Sequence, residues 1–284
     1  MRRSHVLPTL GLALALSAVN LHARSAPPAG GPALTPVSSN RPALTPGNGK
    51  LLLTGGVSSI DGAAGGGLTP WAMVGSYATT GEFGGIAFIT HATTQTDTLA
   101  RSGASAGFDD CFELSLARQE FNASVVVPDT ALRLDIVGIK LRVAGDAVLD
   151  SVAAKRDGVD LYASATKLFL APGILVNGTL RATKANQNGL LGFGSSRQGG
   201  YQLEPELSVA WLLRKNLALG AECRFKPNNL AFAGAAFTED DWKDRLIAWA
   251  PTKNVPVTAA FVDLGNIVGH RHQTGGCLSA QLAH

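Results

Sequence analysis

The chain has 284 residues, of which 16% are charged, with a formal net charge of +3, 33 glycines and a mean hydropathy of +0.14. The small net charge gives no indication of nucleic-acid binding, and three cysteines are too few for a disulfide framework, so Cys111, Cys223 and Cys277 are interpreted as small apolar strand residues. Because no run of 18 apolar residues follows residue 19, insertion into a membrane would require strands closed into a sheet without free edges.

The N-terminus has the pattern of a secretory signal peptide. Arg2 and Arg3 precede an apolar stretch at residues 6–19, and cleavage after Ala23 would leave a small residue at the −1 position. The alternative is a membrane anchor, but about 14 apolar residues fall short of the roughly 20 that a spanning helix needs. We therefore predict that residues 1–23 are a cleaved signal peptide.

Residues 24–48 are rich in proline, alanine, glycine and serine, and the sequence PALTP occurs twice, at 32–36 and 42–46. Such a segment has little apolar surface to bury, which predicts a flexible periplasmic linker. A proline-rich recognition tail is the alternative. Residues 49–284 are then left for one folded domain.

The remaining sequence alternates with a period of two, which is typical of strands. Around residue 220, Leu217, Leu219 and Ala221 fall on one face, whereas Glu222 and Arg224 fall on the other. The same strand–turn–strand pattern recurs and predicts five hairpins of roughly ten-residue strands. In chain order they lie at residues 71–90, 103–121, 159–184, 207–225 and 247–261.

Two features favour a membrane barrel over a soluble β-sandwich. Aromatic residues occur near predicted strand ends and turns, as in the interfacial girdles of such barrels. Connections alternate between short turns and longer loops, at residues 58–66, 186–200 and 227–239. A sandwich would carry more charge on its outer face. We therefore predict an all-β fold, an antiparallel up-and-down transmembrane β-barrel of about 12 strands with short periplasmic turns and longer outer loops.

Several stretches resemble an uncharacterised proteobacterial outer-membrane β-barrel family, domain of unknown function 3034. They include KLLLTGGVSSIDGAAGGGLTPWAMVGSYAT at 50–79, ELSLARQ at 113–119, ATKLFLA at 165–171, NGTLRATKANQNGLLGFG at 177–194 and TAAFVDLGNI at 258–267. The resemblance extends from residue 50 to the C-terminus. It implies an outer-membrane-type barrel and no known activity.

The sequence departs from this family at two places. Between Arg142 and Asp160 the chain looks shorter, as if a strand and a loop were missing. The final strand alternates through Leu278, Ala280 and Leu282 but ends at His284 instead of an aromatic residue. We predict that this strand contacts the barrel-insertion machinery, with His284 near the periplasmic rim.

Polar residues opposite the apolar faces are the candidate lumen-lining residues. Both signs of charge occur among them, so the sequence does not determine ion selectivity. With about 12 strands, a narrow pore and a filled interior are both compatible with the pattern. The candidates are Glu113, Lys140, Arg142, Asn177, Thr179, Arg181, Glu206, Glu222 and Arg224.

No catalytic, cofactor or metal site is predicted. His270 and His272 have a strand-like spacing, but a metal site needs more ligands than this pair supplies. His91 has no nucleophile at a recognisable spacing, so a Ser-His hydrolase is disfavoured. The glycines at 62–67 lack the spacing of a phosphate-binding loop and are interpreted as a flexible turn or a close approach of the backbone.

Three functions remain for a protein exported to the outer membrane of a Gram-negative bacterium. The favoured prediction is a passive channel for small solutes, and no enzymatic activity is expected. The alternatives are a non-conducting barrel for envelope structure or partner contacts and, least favoured, a lipid hydrolase using His91. Outer-membrane lipid and the insertion machinery are the expected partners.

Overall fold

Twelve antiparallel strands make up the main sheet of the described chain. In the computed structural model the described residues are 45–46, 50, 53, 57–122, 131–144, 147–155, 158–267 and 269–284. The predicted signal peptide lies outside the described residues, and so does the predicted linker apart from Thr45–Pro46, which pairs in parallel with Glu82 and Phe83. The strands are β1 (Glu82–Thr94), β2 (Thr98–Phe108), β3 (Phe112–Asn122), β4 (Ala131–Ala144), β5 (Ala147–Lys155), β6 (Gly158–Phe169), β7 (Ile174–Thr183), β8 (Gln202–Arg214), β9 (Leu217–Arg224), β10 (Trp242–Thr252), β11 (Val255–Asp263) and β12 (Thr274–Ala283).

The sheet closes into a barrel. Each strand pairs with its neighbours in the chain, and β1 pairs with both β2 and β12, so that the first strand also meets the last. Closure leaves no barrel strand with an unpaired edge, as a strand-built membrane protein requires. The predicted antiparallel up-and-down transmembrane barrel is therefore confirmed, with 12 strands in the described chain.

Near residue 150, in the stretch that looks shorter than in the resembling family, the described chain contains a strand of the barrel. The structure places β5 at Ala147–Lys155, where it pairs with both β4 and β6. Both pairings contain register shifts, at Lys140/Arg142 and Arg142/Ala144 on one side and at Leu149/Ser151 on the other. Such irregularities interrupt the period of two, which explains why the alternation does not mark this strand in the sequence.

The two ends of the barrel differ in the length of their connections. At one end the described turns have two to four residues, at 109–111, 170–173, 215–216 and 253–254. The long connections, at 184–201, 225–241 and 264–273, all lie at the other end, which we call the outer-loop end. The C-terminus lies at the short-turn end, where the backbone of His284 exchanges two hydrogen bonds with Gly85 at 2.8 and 3.1 Å.

The strand faces follow the predicted alternation, with apolar side chains outside and polar ones inside. On β8, Leu207 is 55% exposed, whereas Glu206 next to it is fully buried. Trp211, Trp249 and Phe261 are exposed on the outer wall. Three aromatics expected near strand ends or turns are instead buried inside: Trp71, Tyr77 and Phe121. No helix among the described residues is long and apolar enough to cross a membrane.

Two sequence predictions fail for the segment that precedes β1. Residues 71–77 do not form a barrel strand, and residues 58–66 are not an outer loop. Residues 57–79, which we call the lumen segment, instead lie inside the barrel. Their strand-like pairing is limited to Val57–Ser58 with Ala64–Gly65 and to a single bridge between Gly65 and Pro70. Because wall surrounds this segment, its apolar and small residues are buried on every side, and the alternation that distinguishes a wall strand from a filling segment is absent.

Candidate functional site

The barrel interior is occupied by the lumen segment, which is bound mainly through polar contacts with the wall. Ser59 and Thr69 of this segment are fully buried. At its glycine-rich part the backbone passes so close to β9 that a Cβ atom on Gly66 would lie 2.0 Å from Oε1 of Glu222. Of the two interpretations given to residues 62–67, the close approach of the backbone is the one found here.

The largest cluster of charges joins Asp61 of the lumen segment to the wall. Its carboxylate accepts contacts from Arg181 on β7 and Arg224 on β9, each at 2.9 Å. Arg181 also contacts Glu206 at 2.6 Å and Asp160 at 3.5 Å, and Arg224 contacts Glu206 at 3.4 Å. Since all five groups are buried, removing one would leave the others without compensation, which costs far more than breaking an exposed pair.

A second anchor lies at Glu222 on β9. Its carboxylate accepts hydrogen bonds from the backbone N–H of Leu68 at 2.7 Å and from the hydroxyl of Thr69 at 2.6 Å. Asp244 on β10 is directly opposite Glu222 in the strand register. The lumen segment therefore supplies donors at a point where two acidic side chains face the same interior.

A third anchor lies nearer the short-turn end of the barrel, at Glu113 on β3 and Lys140 on β4. Glu113 accepts hydrogen bonds from the backbone N–H groups of Ala64 and Gly75. Lys140 donates to the carbonyl oxygens of Ala64 at 2.9 Å and Met73 at 2.8 Å, and its ammonium lies 3.5 Å from Glu113. The buried ion pair of Glu113 and Lys140 thus holds two parts of the lumen segment together, the backbone at Ala64 and the backbone at residues 73–75.

Neutral side chains of β6, β7 and β8 bind the stretch around Pro70. Its carbonyl accepts hydrogen bonds from Asn177 at 3.2 Å and Thr179 at 3.0 Å. The next residues donate to hydroxyl groups of the wall: Trp71 Nε1 to Ser208 at 3.1 Å and the Ala72 N–H to Thr166 at 2.7 Å. The backbone groups of this irregular segment therefore find partners without strand pairing, as burial requires.

The nine candidate lumen-lining residues can now be placed. Seven of them contact the lumen segment directly: Glu113, Lys140, Asn177, Thr179, Arg181, Glu222 and Arg224. Glu206 acts one step away, through Arg181 and Arg224. Arg142 does not reach the segment; it pairs with Asp110 in a short turn and is partly exposed at that end of the barrel.

The sequence reasoning missed several wall residues that bind the same segment. They include Thr166 and Ser208, described above, and Gln281 on β12, which donates to the hydroxyl of Ser58 at 3.3 Å. Arg101 on β2 donates to the carbonyl oxygens of Ser58, at 2.9 Å, and Ser59. Gln119 on β3 donates to the carbonyl oxygen of Ile60. The alternation along β2 indicates that Arg101 shares one face with Leu99 and Gly103. Because β2 carries small residues on both faces, the sequence does not show which face is the inner one.

Long loops cover the interior at the outer-loop end. Gln187 donates its backbone N–H to Glu239 at 2.9 Å and its side-chain amide to the carbonyl of Asn266 at 3.0 Å, which ties all three long connections together. Arg224 donates to Asn188 at 2.6 Å, so the cap also contacts the wall cluster. Both Gln187 and Asn188 have positive φ angles, a conformation that is costly for such residues and is retained by these contacts.

One buried ion pair within this cap is titratable near neutral pH. The ammonium of Lys226 lies 3.5 Å from Glu239. Burial lowers the pKa of Lys226 to about 8, against the opposing attraction of Glu239. Burial likewise raises the pKa of Glu239, partly offset by Lys226.

The histidines of the described residues do not assemble into a site with one another. His91 is exposed on the outer wall, with Thr93 Oγ1 at 3.2 Å from its Nε2. His270 contacts Asp97 at 3.2 Å in the loops, while His272 is exposed. These positions leave the interior, and not the histidines, as the candidate functional site.

The interior has two chemically different sides. The polar side is the inner face of β6–β9, with the charge cluster of Arg181, Glu206 and Arg224 and the hydroxyl and amide groups that bind the stretch around Pro70. The apolar side is defined by inward residues of the other strands near the outer-loop end, and these are Ala92, Leu99, Trp242, Leu246, Ala260, Val262 and Cys277. Ile60 and Leu68 of the lumen segment lie against this side.

A family model covers almost all of the described chain. It matches residues 54–154 and 149–281 and describes a protein of unknown function, DUF3034. This chain belongs to that family. The two matched parts of this DUF3034 member overlap at residues 149–154, within β5.

Solved structures with a similar outline are outer-membrane proteins. The NanC porin and Omp33 of Acinetobacter baumannii each have a TM-score of 0.44 and 8% identity, covering 70% and 71% of this chain and 98% of their own. The COG4313 outer membrane channel from Pseudomonas putida F1 has a TM-score of 0.43 and 14% identity, covering 71% of this chain and 95% of its own. No curated protein matches the chain significantly.

Proposed function

We propose that this DUF3034 member is a barrel of the Gram-negative outer membrane that does not conduct solutes in its folded state, because its own lumen segment closes it. The observation that supports this function best is the anchoring of residues 57–79 by seven of the nine polar residues that a channel would have used to line its pore. The favoured sequence prediction, a passive channel, thereby gives way to the non-conducting alternative.

Two further observations support the proposal. The outer loops cover the interior through Gln187, Glu239 and Asn266. A solute would therefore meet a second obstruction at the outer-loop end of the barrel. The apolar outer wall, with Trp211 and Trp249 exposed, is suited to a lipid environment. The hydrolase alternative has less support, because the hydrogen bond of the His91 ring is to Thr93 Oγ1 at 3.2 Å and no carboxylate among the described residues orients the ring.

The decisive experiment is single-channel recording of the purified barrel in planar bilayers. We expect no steady conductance from the full chain and stable openings from a variant in which residues 57–79 are deleted. Heat-modifiable migration in gels checks that both proteins are folded barrels. Steady conductance of the full chain, comparable to that of the deletion variant, would overturn the proposal and restore the passive channel.

The location can be tested separately by fractionating cells. We expect the protein in the outer-membrane fraction, with heat-modifiable migration. A protein found soluble in the periplasm would contradict the proposed location and with it the function.

A further inference from the structure

The apolar side of the interior contains a cavity of about 60 Å³. Its floor is a row of three small residues that are neighbours across three strands: Ala92 on β1, Cys277 on β12 and Ala260 on β11. Leu99 and Leu246 continue the row on either side, and Ile60 and Leu68 of the lumen segment cover it. The cavity exists because three small side chains in register leave a gap that the lumen segment does not fill.

One wall of this cavity carries a cation without an ion pair among the described residues, Arg101, whose guanidinium lies over the ring of Phe88 at 5.1 Å from its centroid. Arg101 is buried. Two of its nitrogens donate to neutral oxygens, NH1 to Ser59 and NH2 to Ser58 and Thr90, while its Nε has no hydrogen-bond partner among the described residues. A buried guanidinium without an acidic partner is costly, and an anion beside it would relieve that cost.

Hydroxyl groups lie in the same part of the cavity. Thr90 and Ser279 are neighbours across β1 and β12, with their hydroxyl oxygens 2.9 Å apart, and both line the cavity next to Arg101. A carboxylate placed at Arg101 would therefore find hydrogen-bond donors on two sides. Ala92, Leu246 and Val262 offer apolar contact, and the lining also includes the polar residues Ser58, Thr258 and Asp244.

We propose that this cavity is a binding site for a short-chain aliphatic carboxylate. A water needs about 10 to 15 Å³ of such space, so the cavity holds roughly four to six non-hydrogen atoms, which is the size of propanoate or butanoate. The carboxylate pairs with Arg101, and the alkyl chain lies along the row of small residues between the wall and the lumen segment. The binding site requires the lumen segment in place, since that segment forms its cover.

The acidic residue in the cavity sets the orientation and the main competing ligand. Asp244 also lines the cavity, its Oδ1 has no hydrogen-bond partner among the described residues, and it faces Glu222. The negative head of the ligand therefore points away from Asp244, toward β2. An alkylamine of equal size would instead require its head at Asp244.

The test is isothermal titration calorimetry of the full-length barrel in detergent with butanoate, with injections spaced so that each heat signal returns to baseline. Butylamine and butanol serve as ligands of matched size. We expect saturable binding of butanoate at one site and at least about tenfold weaker binding of the other two. No binding of butanoate, or equal binding of the amine, would overturn the proposal.

A pair of neighbouring substitutions locates the site. Ala260→Leu fills the cavity, whereas Ala259→Leu places the same group on the exposed outer face of the same strand. We expect Ala260→Leu to weaken butanoate binding by about tenfold or more and Ala259→Leu to leave it unchanged. Equal affinities in both variants would overturn the assignment, provided that both show wild-type heat-modifiable migration.

The proposed closure and the proposed ligand fail in different experiments. A conducting full chain that still binds butanoate would refute the non-conducting function alone. A closed barrel that binds no butanoate would refute the ligand alone.

Discussion

The polar and apolar sides of the interior hold the same lumen segment in different ways. On the polar side, β6–β9 contribute ion pairs and hydrogen bonds with defined partners, such as Arg181 to Asp61 and Asn177 to Pro70. On the apolar side the contact is made by side chains such as Ile60 against Trp242 and Val262, and it leaves a cavity of about 60 Å³. Directional contacts determine where the segment lies, whereas apolar contact tolerates imperfect packing and leaves room for a ligand.

The largest expected effect is that of breaking the buried charge cluster on the polar side. Arg181→Met removes the contacts to Asp61, Glu206 and Asp160, and leaves three carboxylates without their central cation. We expect the free energy of unfolding to fall by about 3 to 5 kcal/mol. Denaturant-induced unfolding, followed by tryptophan fluorescence, measures the change.

The matched control is an ion pair on the outer wall. Arg118 contacts Asp135 at 2.6 Å, but both side chains are 60% exposed. Arg118→Met leaves behind a carboxylate, that of Asp135, which is exposed and not buried, and should therefore cost less stability than Arg181→Met. If both variants lose the same stability, the polar side of the interior has no special role in anchoring the segment.

The next effect tests the close approach of the lumen segment to the polar side. Gly66→Ala would place a methyl group against Glu222 and should lower the free energy of unfolding by about 1 to 3 kcal/mol. Limited proteolysis should also cut residues 57–79 faster in this variant. Gly276→Ala is the control, because a Cβ there meets nothing within 4 Å; equal protease sensitivity of the two variants would argue against the close approach.

The pH dependence of the cap is expected to be smaller. Burial lowers the pKa of Lys226 to about 8, below its unfolded value near 10.4, so the unfolded chain binds the proton more strongly. Burial of Lys226 therefore does not destabilise the fold above about pH 10.4, where the lysine is neutral in both states. The destabilisation grows as the pH falls from there to about 8 and is complete below that value. Unfolding measurements between pH 8 and 10 should show stability rising by at most about 1.4 kcal/mol per pH unit.

Two variants separate this contribution from the other lysines. Lys226→Met should flatten the rise in stability between pH 8 and 10, whereas Lys243→Met, at an exposed position, should retain it. A rise that persists unchanged in Lys226→Met would show that the buried pair with Glu239 does not titrate as described.

The smallest effect is expected on the apolar side. Ala92→Val projects into the cavity and should change the free energy of unfolding by less than about 1 kcal/mol in either direction, because space is available. Ala210→Val, on β8 against Trp71 and Leu175, meets no such gap and should cost about 1 to 3 kcal/mol. Equal costs in the two variants would remove the distinction in packing between the two sides.

The amino-acid sequence by itself determined the wall of this barrel. The period of two places Leu207 outside and Glu206 inside because successive side chains of a strand point to opposite faces, and this local rule requires no knowledge of distant contacts. For the same reason, alternation predicts the inward-facing positions of eight of the nine candidate lumen residues. The ninth, Arg142, pairs with Asp110 at the short-turn end. Strand β5 escaped this rule because register shifts interrupt its alternation.

Only the tertiary structure decided what the polar interior contacts. The lumen segment, residues 57–79, is buried on all sides, so its composition shows neither the period of a strand nor the polarity of a loop. Its partners lie far away in the chain, as Asp61 and Arg224 or Leu68 and Glu222 illustrate. Such pairings become visible only when closure of the barrel brings β7 and β9 around the segment, because hydrogen bonds and ion pairs depend on distance in space and not on spacing in sequence.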